Sequence, residues 1–133
     1  MSEGGAVGTL MGLRMAIGVG AWATPRLAGR LFGLDAGANP QSPYLARLFG
    51  VRDVALGWGI MGTEGAARRQ WITVGIACDV ADALAGLAAG LGGYLPRRTS
   101  ALVTVTALGA AALGASALRA AEVSEADAGA AGV

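Results

Sequence analysis

The chain has 133 residues, of which 54% are hydrophobic and only 14% are charged, with a net charge of +1. Soluble domains carry about 25% charged residues, so this composition favours an integral membrane protein over a soluble enzyme. The ten basic residues are all arginines and form no basic run, so we expect no nucleic-acid partner. One cysteine and no histidine exclude an internal disulfide and most catalytic sites, so we expect no metal and no cofactor, and enzymatic activity is disfavoured.

The apolar segments predict an all-α fold with four membrane-spanning helices, the first over residues 6–23. In this helix every fourth residue from position 8 is small: Gly8, Gly12, Ala16 and Gly20. Together they form a smooth ridge on which another helix can pack. Arg14 lies near the middle of the helix, about 200° around the axis from this ridge. A retained helix is favoured over a cleaved signal peptide, because Arg14 interrupts what would be its apolar core.

A threonine–proline pair then opens a short segment over residues 25–34 and is typical of a helix start. Arg26 and Arg30 share one face of this segment, and its leucines share another. We therefore expect an amphipathic helix that lies in the membrane surface, and a plain basic loop is the alternative.

The other three spans are expected at residues 44–62, 71–91 and 99–118. The last of these contains no charged residue, and its length matches that of the bilayer core. Residues 119–133 are acidic and rich in Ala and Gly, so a disordered tail is expected there. Four spans place both chain ends on one side of the membrane, but the arginines of the connections are too evenly divided to give the orientation.

Charged residues near the middle of three predicted spans form a candidate layer inside the membrane. They are Arg14 in the first span, Arg52 and Asp53 in the second, and Asp79 and Asp82 in the third. Each costs about 2.5–3.5 kcal/mol at a helix centre, so these side chains are expected to face one another and not lipid. Arg47 lies nearer one surface and either reaches the interface or joins the layer, which would then be neutral.

Glycines follow the charged residues along the same helix faces. A spacing of three or four residues places them on one stripe with Asp53 in the second span and with both aspartates in the third. The predicted helix-packing positions are Gly50 and Gly57 on the second span and Gly75, Gly86 and Gly90 on the third.

The pattern Arg47-x-x-Gly50-x-Arg52-Asp53-x-x-Leu56-Gly57, followed by Asp79 and Asp82, resembles small uncharacterised four-helix membrane proteins that are common in actinobacteria. The resemblance covers most of the chain and implies a bacterial inner-membrane bundle with no assigned activity. More loosely, the chain is similar to DoxX-like small four-helix membrane proteins, although no redox cysteine or cofactor ligand matches.

Two functions stay open at this point, and both place a multi-pass protein in the bacterial plasma membrane. In the first, Arg–Asp pairs fix the helices of a structural or accessory protein that associates with the lipid bilayer and with a second copy or another membrane protein. In the second, the charged layer lines a cavity that binds or carries a lipid, a quinone-like molecule or a proton. A soluble helical bundle is the remaining alternative.

Overall fold

A computed structural model describes residues 3–131, and every regular element in that range is an α-helix, as predicted. The helices are α1 (Glu3–Ala23), α2 (Pro25–Leu31), α3 (Ser42–Met61), α4 (Gly65–Leu91) and α5 (Arg97–Ala131). The segment after α1 is therefore helical over Pro25–Leu31, and the basic-loop alternative does not apply.

The four long helices form a bundle of two pairs. α1 packs along α3 and α4 packs along α5, and the pairs meet where α1 contacts α5 and α3 contacts α4. An apolar cluster joins all four helices at the end of the bundle where α1 begins, and its buried members are Ala6, Val7, Leu10, Ile60, Ile72 and Ala117. The short helix α2 packs against α3 and α1.

Three helices are long and apolar enough to cross a membrane, namely residues 4–23 of α1, α4 and α5. α3 is not among them, because Arg47, Arg52 and Asp53 all fall within its 20 residues. The prediction of four spans is thus met for three helices by length and composition. Whether α3 can also cross a membrane depends on where its charged side chains lie.

The end of α5 differs from the sequence prediction. The helix continues to Ala131, whereas a span ending at residue 118 and a disordered tail were expected. Two contacts account for the longer helix, since Ala121 is buried and Glu125 forms an ion pair with Arg69 of α4. Alanine, which is frequent in this stretch, also has the highest helix propensity. Residues 132–133 of the predicted tail lie outside the described residues.

Candidate functional site: an Arg–Asp network between three helices

Arg14, close to the middle of α1, is bonded to two other helices. Its side chain is buried, and so are the carboxylates of Asp53 on α3 and Asp79 on α4. One terminal nitrogen, Nη1, lies 3.1 Å from Oδ1 of Asp53, and the other, Nη2, lies 2.6 Å from Oδ2 of Asp79. A single guanidinium therefore connects α1, α3 and α4 at one depth, as the midpoint positions of these residues predict.

A second pair connects α3 and α4 beside the first. Arg52 donates two hydrogen bonds to Asp82, with Nη1–Oδ1 and Nη2–Oδ2 distances of 2.9 and 2.6 Å. This parallel two-bond geometry is the strongest form of Arg–carboxylate pairing. The Arg52 and Asp82 side chains are 31% and 27% exposed, so this pair lies nearer the bundle surface than Arg14. Nη2 of Arg52 also lies 3.9 Å from Oδ1 of Asp53, which links the two pairs.

Arg47 lies outside this group. Its Nε donates to the backbone carbonyl of Trp22 at 3.3 Å, and its guanidinium lies 5.7 Å from the centre of the Trp22 ring. The group, which we call the Arg–Asp network, consists of Arg14, Arg52, Asp53, Asp79 and Asp82. Two arginines face three aspartates, so the network carries one formal negative charge, in contrast to the neutral layer that would include Arg47.

The network also contains unused hydrogen-bond donors. The Nε atoms of Arg14 and Arg52 are buried without a partner among the described residues. Both arginines donate to the aspartates through Nη1 and Nη2, so Nε is the only side-chain nitrogen of each that remains unused. The network is therefore a polar centre that connects three helices and retains a surplus carboxylate and two unused donors. No group of three or more His, Cys, Asp or Glu residues within residues 3–131 is arranged to hold a metal ion.

Two of the predicted packing glycines lie against α1, one beside Arg14 and the other beside Met15. A Cβ atom on Gly75 would lie 2.8 Å from Nη2 of Arg14, so any side chain there would displace the guanidinium. On α3, a Cβ on Gly57 would lie 3.0 Å from Sδ of Met15 and 3.5 Å from Cβ of Arg14. The absence of side chains at these positions therefore lets α3 and α4 approach the same part of α1.

Gly86 and Gly90 have a different role, because they face α5. A Cβ on Gly86 would lie 2.9 Å from Cγ1 of Val103, and one on Gly90 would overlap the side chain of Ser100. The Ser100 hydroxyl donates to the carbonyl of Gly86 at 2.8 Å. These glycines bring α4 and α5 together and do not contact the charged residues.

A tight backbone contact between α1 and α3 joins Gly50 to Gly18, which is not among the predicted packing positions. A Cβ on Gly50 would lie 2.5 Å from the carbonyl oxygen of Gly18. Gly8, Gly12 and Gly20, in contrast, have no atom within 4 Å of their Cβ positions. The glycine ridge of α1 thus faces away from the bundle, and its use as a contact for a partner helix stays a prediction.

The position of Gly18 on the inward face of α1 could have been predicted from Arg14. The buried face of α1 includes Val7, Leu10, Arg14, Gly18 and Ala21, which follow one another at intervals of three or four residues. A charged residue in the middle of an apolar helix is expected to face inward, so the stripe through Arg14 gives the inward face.

Comparisons with known proteins found no matching family model, no matching curated protein and no matching solved structure. The resemblance to small actinobacterial four-helix membrane proteins and to DoxX-like proteins therefore stays a prediction. Fold and site together define an all-helical bundle with three candidate membrane spans and buried Arg–Asp ion pairs that connect α1, α3 and α4.

Proposed function

We propose that the protein is a four-span protein of the bacterial plasma membrane, and that it acts as a structural or accessory subunit whose helices are held by the Arg–Asp network. The supporting observation is an inverted distribution of polarity. Charged side chains are buried at the centre of the bundle, while large apolar side chains cover its outside, among them Leu13, Ile17, Val51, Leu84 and Val105. Water would favour the reverse arrangement, whereas a bilayer favours this one.

The proposal includes α3 as a span although its sequence contains three charged residues. Asp53 is buried against Arg14, and Arg52 is held by Asp82, so neither charge meets lipid unpaired. The contact between Gly18 and Gly50 places α3 directly along α1, which is itself a candidate span. The third charged residue, Arg47, contacts Trp22 close to the end of α1, where a long side chain can reach the head groups.

The number of spans can be tested through the sides on which the chain ends lie. We expect the protein to stay in membranes washed with alkaline carbonate, and epitope tags at its two ends to be digested by protease from the same side. A tag inserted in the loop between α2 and α3 should be accessible only from the opposite side. If α3 does not cross, three spans put the ends on opposite sides, and a soluble bundle leaves the membrane in alkali.

A structural role further predicts that Arg52 and Asp82 act as one unit. We expect Arg52→Gln and Asp82→Asn each to lower the free energy of unfolding by about 1–3 kcal/mol, because each leaves a partly buried charge without its main partner. The double variant should be no less stable than the worse single variant, because it leaves no unpaired charge. Thermal melting of detergent-purified protein measures both effects.

Arg97→Gln is the matched control for this cycle, because Arg97 is exposed and forms no ion pair with a described residue. Its effect should be within about 0.5 kcal/mol. Strictly additive losses for Arg52→Gln and Asp82→Asn would show that their pairing does not stabilise the bundle.

The surplus carboxylate favours one second candidate, a proton carrier. The closest arginine nitrogen lies 3.1 Å from Asp53, compared with 2.6 Å for Asp79 and for Asp82, so Asp53 has the longest direct ion pair of the three aspartates. If Asp53 carries a proton, Asp53→Asn should melt like the wild type but abolish proton flux across reconstituted vesicles. If its charge serves only to hold Arg14, the variant should melt lower, and vesicles with wild-type protein should show no flux.

A further inference from the structure

A cleft of about 550 Å³ opens between the end of α1, the helix α2 and the beginning of α3, and no residue of the Arg–Asp network lines it. Three arginines line it: Arg26 and Arg30 from α2 and Arg47 from α3. Pro25 and Pro43 lie at the first turns of α2 and α3 and also line the cleft, so two rigid helix starts fix its walls.

The positive charge of this cleft is not compensated within the described part of the chain. No acidic residue lines the cleft, and Arg26, Arg30 and Arg47 form no ion pair with any other described residue. The neighbouring acidic residue, Asp35, instead accepts hydrogen bonds from the backbone N–H groups of its own loop. Three guanidinium groups around one open space are suited to bind phosphate oxygens, which they recognise through paired N–H donors.

One of the three arginines is held in position before any ligand arrives. The Nε–H of Arg47 donates to the carbonyl of Trp22, and its guanidinium carbon lies 5.7 Å from the centre of the indole ring. No described residue accepts a hydrogen bond from its two Nη groups. The contact with Trp22 therefore restricts the Arg47 side chain while both of its terminal nitrogens remain available. This restriction lowers the conformational entropy lost when an anion binds.

The position of the cleft indicates which kind of phosphate it meets. Ala23, the last residue of the first candidate span, is part of its wall, so in a membrane the cleft lies at the level of the lipid head groups. Exposed apolar side chains stand nearby on the same elements: Trp22, Leu27, Leu31, Tyr44 and Leu45. An anion in the cleft would thus have an apolar surface beside it for acyl chains, which a soluble phosphate does not need.

We propose that this arginine cleft binds the phosphate of an anionic phospholipid, with Arg26, Arg30 and Arg47 as its ligands. The proposal rests on the membrane location proposed above. None of the five residues of the Arg–Asp network is part of this cleft.

The test measures binding of short-chain phosphatidylglycerol to the detergent-purified full chain by native mass spectrometry, with short-chain phosphatidylcholine as the zwitterionic comparison of zero net charge. We expect Arg26→Gln with Arg30→Gln to weaken phosphatidylglycerol binding about 30-fold, and Arg47→Gln alone about fivefold. The matched control is Arg97→Gln with Arg98→Gln, which removes the same charge from two exposed arginines outside the cleft and should leave binding unchanged. Circular dichroism confirms that each variant is helical.

Three results would overturn the proposal: equal weakening by the control pair, equal binding of phosphatidylcholine, or displacement of phosphatidylglycerol by inorganic phosphate at the same concentration. The last result would assign the cleft to a soluble phosphate. Because short-chain lipid is presented in solution, the binding assay does not depend on the alkaline wash. A protein that leaves washed membranes yet binds phosphatidylglycerol at these arginines contradicts the proposed location and not the site.

Discussion

Replacing Arg14 by glutamine is expected to lower the free energy of unfolding by about 3–5 kcal/mol, the usual effect of removing one partner from a buried ion pair. Asp53 and Asp79 would then lie in the bundle without the cation that both of them contact. Glutamine is clearly shorter than arginine and has no charge, so it restores neither of the two ion pairs. Thermal melting in detergent would give the size of the effect.

Two further variants make this prediction specific to the ion pairs. Adding Asp79→Asn to Arg14→Gln should recover part of the lost stability, because it removes the carboxylate that had the shortest contact with Arg14. Arg119→Gln, on an exposed part of α5, should change stability by no more than about 0.5 kcal/mol. A wild-type melting temperature for Arg14→Gln would show that apolar and glycine contacts alone hold the three helices.

The second large effect is expected at the contact between α1 and α3. Gly50→Ala should cost about 1–3 kcal/mol, the range for overpacking a tight contact, because the added methyl group meets the backbone of Gly18 and cannot move a flexible side chain aside. Detergent melting and the separation of α1 from α3, followed by crosslinking of cysteines placed on the two helices, would measure the change.

Gly109→Ala on α5 is the matched control. Gly109 is exposed in the interior of a helix, and a Cβ there would meet no atom within 4 Å. Alanine should therefore raise stability by about 0.5–1 kcal/mol through its higher helix propensity. If both alanine variants behave alike, α1 and α3 do not make the close backbone contact described here.

The sequence was sufficient to predict which charged residues lie at the same level of the bundle. An unpaired charge is costly in a membrane, and these residues all lie near the midpoints of their helices. It was not sufficient to predict the pairing, since the choice between Asp53, Asp79 and Asp82 depends on how each helix is rotated. The position of Arg47 depends on Trp22, which lies 25 residues earlier and on another helix.

The glycines show the same limit. A four-residue repeat in α1 predicts a smooth face, but the repeat alone does not say whether that face meets the bundle or its surroundings. In the third span, where glycines and aspartates share one stripe, Gly75 does lie against a charged side chain. The helical end of α5 includes an ion pair with Arg69, more than fifty residues away in the chain, and composition carries no information about such a contact.

The three-helix contact of Arg14 also bears on how the protein is made. Synthesis proceeds from the N-terminus, so Arg14 reaches the membrane before its partners, which follow 39 and 65 residues later. In the proposed four-span arrangement α1 on its own would carry Arg14 unpaired into lipid, and α3 brings its first partner, Asp53. We therefore expect α1 and α3 to enter the bilayer as a pair, with α4 completing the ion pairs afterwards. A ribosome that pauses before α4 would leave a chain with one arginine, Arg52, that still lacks its main carboxylate partner.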